Sequence, residues 1–271
     1  MPKPKLHNPN QIPILVYAQA TYYPDMVSIY IPKQPIVKHG SGYEEPVRAS
    51  KYRLEDDLDA LSDETNSERS VRRTKKIIRD YVLCNCFDMF ATFTFKSDRQ
   101  DIEKTRQKMM DWLKNQRNRN GRFRYLLIPE FHKDGQSLHF HALFGDYPGK
   151  IKKSINKETG KLIIVKGQQV YELTGYTLGF NNVKLIPNNS EDFSRVSSYI
   201  QKYITKDMPN FHGKQRYWAS KGLLLPNVED NPEKWYERVT PDWSKEFENG
   251  TLLRFNLNSH PLTEMFLEPN Q

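Results

Sequence analysis

The sequence predicts an α+β fold, and three observations predict it. Segments in which apolar side chains alternate with others read as strands at 87–95, 124–132 and 138–144. Asp134-Gly135 lies between the last two of these as a hairpin signal. Segments at about 63–83, 98–118 and 191–207 carry apolar residues at helical spacing.

Residues 1–60 are rich in proline and turn formers, with short apolar runs such as ILVYA, and are expected to form an N-terminal extension of edge strands or an arm. The stretch DETNSERSVRRTKKIIRDYVL opens with acids and presents a sparse apolar face of Val71, Ile77, Ile78 and Val82, as a helix does. Its Arg72, Arg73 and Lys76 are candidate phosphate contacts, although such a run also serves as a solvated face. In FDMFATFTF, Phe87, Met89, Ala91, Phe93 and Phe95 share one face, and Thr92 and Thr94 share the other. A helix follows with Ile102, Met109, Met110, Trp112 and Leu113, closed by Asn120-Gly121. RYLLIPEFH and LHFHALF are two strands around KDGQ, the Lys-rich stretch at about 149–170 is a surface hairpin or long loop, and GYTLGFNNVKLI is a further strand region.

The net charge of +8 and pI near 9.2 favour a polyanionic partner. No apolar stretch is long enough to cross a membrane and no signal peptide is apparent, so a cytoplasmic protein without a membrane partner is expected. The two cysteines, Cys84 and Cys86, suit neither a disulfide framework nor a zinc cage, in keeping with a reducing compartment. No phosphate-loop motif is present.

SLHFHALF places His139 and His141 on one face of a strand, with Leu138, Phe140, Ala142 and Phe144 on the other. If Asp134-Gly135 forms a two-residue turn, His132 pairs with Ser137 and Phe131 with Leu138. Glu130 then lies opposite His139, with His141 on the diagonal and His132 one step nearer the turn. A carboxylate and two imidazoles with coordination positions left over form a catalytic rather than a structural metal set, suited to Mn²⁺ and several other divalent ions or, through its waters, to Mg²⁺. The simpler alternative is a Glu–His ion pair on an exposed face. The trio is expected to be a surface cluster whose loss spares the fold.

EDFSRVSSYIQKYITKD reads as a helix capped by Ser190 and stopped by Pro209. Phe193, Val196, Ile200 and Ile204 form its apolar stripe, while Tyr199, Lys202, Tyr203 and Lys206 fall on a second face. An ordinary tyrosine, with a pKa near about 10, is a poor nucleophile at neutral pH; a neighbouring ammonium favours the phenolate. Tyr199 and Tyr203 are therefore candidate nucleophiles, and Lys202 and Lys206 candidate stabilisers of their charge. The bland alternative places both rings at a core boundary.

Three of these pieces, in order, resemble the three motifs of the HUH endonucleases, and most closely those of rolling-circle replication initiators from plasmids and single-stranded DNA phages. FATFTF resembles the first motif, LHFHAL the metal-binding second and YIQKYITKD the tyrosine-bearing third, while RYWASKGL is similar to a segment after the third motif in phage-type members. The resemblance covers about residues 85–220. It implies a central antiparallel sheet flanked by helices, related to the RNA-recognition fold, within a domain at 61–225. Residues 226–271 are expected to be a C-terminal tail packing on or near that domain. It also implies a divalent metal held by His139, His141 and Glu130, and a tyrosine that cuts one strand of single-stranded or unwound origin DNA. That cut leaves a 5′-phosphotyrosyl link and a 3′-OH for a host polymerase, with a host helicase as a further partner. By comparison with plasmid relatives in which an acid occupies the first position and only the second tyrosine is the main nucleophile, Tyr203 is the first nucleophile and Tyr199 its partner; both satisfy the pattern of a tyrosine with a lysine three residues later, so the order between them stays open.

Two other readings compete. A transposase of the same fold also uses one or two such tyrosines; a conjugative relaxase fits less well, since its tyrosine lies near the N-terminus and it uses three histidines. A non-catalytic nucleic-acid-binding module would need basic and aromatic residues, but not Glu130, His139, His141 and a Tyr/Lys face together.

Overall fold

The computed structural model describes residues 13–38, 66–132, 134–186 and 216–259. Four strands come first: β1 (Ile14–Val16), β2 (Gln19–Tyr23), β3 (Met26–Pro32) and β4 (Ile36–Lys38). Then follow α1 (Asn66–Cys84), β5 (Met89–Phe93), α2 (Ile102–Asn120), β6 (Arg124–Phe131) and β7 (Leu138–Gly145). Shorter strands continue the chain: β8 (Ile151–Lys153), β9 (Ile164–Val165), β10 (Gln168–Gln169), β11 (Tyr171–Leu173), β12 (Asn181–Leu185) and β13 (Trp218–Ala219). The last three are β14 (Asn227–Asp230), β15 (Trp243–Phe247) and β16 (Gly250–Asn256). The chain divides into two compact units, one of residues 1–69 with 225–271 and the other of residues 70–224.

The 70–224 unit is built on a seven-stranded antiparallel sheet in the order β13-β6-β7-β5-β12-β11-β8. This is the central antiparallel sheet flanked by helices that the α+β expectation required. β5 and β6 both run antiparallel to β7, which lies between them, so α2 carries the chain across β7 from one to the other. Period-two alternation sorts the side chains onto two faces. On one, Met109, Trp112 and Leu113 of α2 pack against Phe93, Phe140 and Phe144. On the other, Ile78 and Val82 of α1 pack against Leu126, Ile128 and Leu143. β7 is buried along its whole length because it is central and both its faces are covered.

α2 starts where Asp101 accepts a hydrogen bond from the Lys104 N–H, and ends where Gly121 takes a positive φ of 104° and donates its N–H to the Arg117 carbonyl. The expectation that Phe87 shares a face with Met89 and Phe93 needs correction. The ladder of β5 begins only at Met89, and Phe87, before it, joins the α1-side cluster with Ile78 and Leu126.

The other unit holds a five-stranded antiparallel sheet, β14-β2-β3-β16-β15, and a two-stranded sheet of β1 and β4. Strands from both ends of the chain interleave, with β3 paired to β2 on one side and β16 on the other. Its core is Ala20, Val27, Ile29, Phe255 and Trp235, the last from a 3-10 turn at Lys234–Glu237.

Candidate metal centre

The β6–β7 hairpin has the register expected of a two-residue turn: Phe131 faces Leu138 and Glu130 faces His139. The His132 N–H donates to the Ser137 carbonyl at 2.7 Å. Asp134 ties the turn from within, its carboxylate accepting from the N–H groups of Gln136 and Ser137 at 3.0 and 2.8 Å. A hydrogen bond from the Ser137 side chain, and then these two backbone bonds, hold the Asp134 carboxyl down at about 2.

On the α1-side face of the hairpin the apolar residues end at Ile128, and a polar trio follows. Glu130, His139 and His141 turn their ligand atoms together, all within 4.8 Å of one another. Glu130 Oε2 lies 3.0 Å from His139 Nε2, and the two Nε2 atoms lie 3.0 Å apart. Oε2 also contacts His141 Nε2. Two donors about 2.1 Å from one cation and at right angles to each other would stand roughly 3.0 Å apart, the spacing of His139 Nε2 from Glu130 Oε2 and from His141 Nε2. Two imidazoles and a carboxylate are also the mixed nitrogen and oxygen donors that Mn²⁺ accepts. The residues present therefore fit a metal, and the three form a group that can hold one.

The expectation of a surface cluster needs correction. His139 and His141 are each only 8% exposed, because β7 is central in its sheet. Burial drives the Glu130 carboxyl up, yet hydrogen bonds with His139 and His141 outweigh it and hold Glu130 at about 2. Burial likewise pushes His141 down, against the pull of its hydrogen bond with Glu130, and favours the neutral imidazole that a metal requires. His132, whose ring centroid is 4.4 Å from that of His139, is lowered by burial and then by the charge of His139.

Sequence reasoning missed two neighbours supplied by β5. Thr92 lies directly across from His141, and its Oγ1 is 3.1 Å from Nδ1. A hydroxyl both donates and accepts, so Thr92 can hold His141 with its proton on either nitrogen. Phe90 stacks on the same ring, with centroids 5.4 Å apart and planes 17° apart. The two-residue alternation that put Thr92 opposite the phenylalanines was legible; the pairing of β5 with β7 was not. His139 Nδ1 has no hydrogen-bond partner among the described residues.

Of the other candidate residues, Arg72, Arg73 and Lys76 lie on α1, Arg73 exposed and the other two partly so. Tyr199, Tyr203, Lys202 and Lys206 lie outside the described residues.

Compared with known proteins, residues 88–208 match a family model described as replication-associated protein ORF2/G2P. The match spans just under half of the chain and contains Glu130, His139, His141, Tyr199 and Tyr203. It supports a replication-associated protein of Rep type. No curated protein and no solved structure matches the chain.

Proposed function

We propose that this chain initiates rolling-circle DNA replication by nicking one strand of single-stranded or unwound origin DNA, with a tyrosine as nucleophile and a divalent metal as cofactor. The observation that carries this reading is the convergence of Glu130, His139 and His141 inside the segment matched by the replication-associated family.

Each residue has a part in the chemistry. The two Nε2 atoms and the Glu130 carboxylate would hold the cation, and Thr92 and Phe90 fix the His141 ring. Mn²⁺ or Mg²⁺ bound there would supply positive charge against a phosphate oxygen. The Tyr203 hydroxyl attacks the scissile phosphorus in line: a tyrosyl O–P bond forms, the P–O3′ bond breaks, and the phenolic proton is passed to the departing 3′-oxygen. Lys202 or Lys206 offsets the developing phenolate charge. The phosphotyrosyl ester conserves the energy of the broken bond, so attack by a 3′-OH reverses the step and joins strands at termination, with Tyr199 as second nucleophile. Arg72, Arg73 and Lys76 contact phosphates, a host helicase supplies the unwound strand, and a host polymerase extends the 3′-OH.

Incubation of the full chain with single-stranded DNA from its replicon and Mn²⁺ should give an adduct that survives denaturant and disappears with chelator. Tyr203→Phe should remove most of it, while Tyr199→Phe spares it and impairs a two-step assay of cutting followed by strand transfer. Mass spectrometry of the DNA-linked peptide then assigns the residue. Equal cleavage with chelator present sinks the metal, and a nucleotide on neither tyrosine sinks the phosphotyrosyl mechanism.

A further inference from the structure

The edge of the seven-stranded sheet farthest from β13 carries an arm that the nicking chemistry does not use. β8 is the edge strand, and beyond it Ser154, Ile163 and Val170 close a ring of three backbone hydrogen bonds. Ser154 donates to Val170, Val170 to Ile163 and Ile163 to Ser154, at 2.9, 2.9 and 3.0 Å. Ser154 and Val170 are buried, so the ring is a firm base. Two hairpins leave it. The first turns at residues 156–161, where Asn156 Oδ1 accepts from the N–H groups of Glu158 and Thr159. The second is the β9–β10 pair, which turns at Lys166-Gly167 with both residues at positive φ.

Charge on the arm is one-sided. Lys150, Lys153, Lys157, Lys161 and Lys166 are exposed and have no carboxylate partner among the described residues. Lys152 alone is paired, 3.2 Å from Glu172, and Glu158 is the single acid between residues 149 and 170. Between the lysines stand aliphatic side chains that a solvated hairpin would not display: Ile155 is 52%, Leu162 47% and Ile164 61% exposed. Cations around an exposed aliphatic centre, on a narrow two-hairpin projection, have the chemistry of β-ribbons that enter a DNA groove, with cations on the phosphates and apolar groups against sugars and bases.

We infer that the arm of residues 150–170 is a binding element for duplex DNA, holding the double-stranded flank of the origin while the Glu130/His139/His141 centre on the same sheet receives the unwound strand. This placement rests on the proposed nicking function, but duplex binding is measured without any cleavage, so the two can fail separately.

The experiment is a titration of a fluorescent duplex with the full chain in chelator across a range of salt. In one variant Lys153, Lys157, Lys161 and Lys166 become Gln; in a control of similar charge loss Lys114, Arg117 and Arg122, which line a concavity on the α2 side, become Gln. Each lost phosphate contact should lower the slope of log K against log salt by about 0.9, so the arm variant should fall by up to about 3.6 and the control by less than about 1. Ile155→Ser with Ile164→Ser should weaken duplex binding several-fold and leave the slope unchanged. Equal loss in arm and control variants would reduce the effect to overall charge and overturn the assignment. So would an arm variant that binds like the parent, an outcome that assigns the aliphatic face to a protein partner instead.

Discussion

Thr92 contributes one hydroxyl to the candidate metal centre, where it engages Nδ1 of His141 and can accept its proton in a hydrogen bond. With Nδ1 held by Thr92, the Nε2 lone pair is free to point at a cation. Without it, Nδ1 of a buried histidine would lose its hydrogen bond to Thr92. Thr92→Val keeps the side-chain shape and removes the hydroxyl, so Mn²⁺ affinity measured by calorimetry should fall about 10–100-fold while the fold persists. An unchanged affinity would make the Thr92 contact incidental to the site. His139→Ala with His141→Ala should abolish Mn²⁺ binding outright, and because both rings are buried, a loss of stability is expected with it.

At the scale of elements, the β6–β7 hairpin was legible because its signals are local. Asp134-Gly135 sets the turn, alternation sets the faces, and together they place Glu130 across from His139. The partners of β7 and β12 were not legible, because pairing with β5 spans many residues and leaves no mark in either strand. β11 escaped notice for another reason: three residues are too few to show a period. Two predictions belong here. The Asp134 carboxyl is held below its ordinary value, so it stabilises the turn above about pH 4, and that contribution disappears as the pH falls towards about 2. The stability difference between the parent and Asp134→Asn in urea should therefore be present at pH 6 and vanish by about pH 2; a constant difference would exclude the carboxylate charge as its source. The second concerns Gly179, where an added Cβ would strike the Thr94 carbonyl and come within 2.8 Å of Phe95 Cα. Gly179→Ala forces the β5 and β12 ends apart and should cost about 1–3 kcal/mol in urea unfolding.

For the molecule as a whole, the least legible feature is the sheet built from both ends of the chain. Short strands such as Gln19–Tyr23 and Gly250–Asn256 give weak signals singly, and their pairing through β3 joins segments more than two hundred residues apart. Phe255 meets the Trp235 ring at 4.9 Å in that core. A chain ending at Asn249 should thus lose hydrogen-exchange protection at Val27, Ile29 and Tyr30, and keep it at Phe140, Ala142 and Phe144 in the other unit; retained protection at Ile29 would show that β16 is dispensable. The same interleaving has a consequence for the order of events during synthesis. The residues of the candidate metal centre are complete, and their sheet can close, once the ribosome has passed β13. The hydrophobic strands β2 and β3, made first, cannot find β16 until more than two hundred further residues have emerged, about 10–40 s later at ordinary elongation rates. In each newborn chain the unit that carries the candidate metal centre can thus fold ahead of the unit whose strands were made first, and those strands spend the interval without β16 beside them.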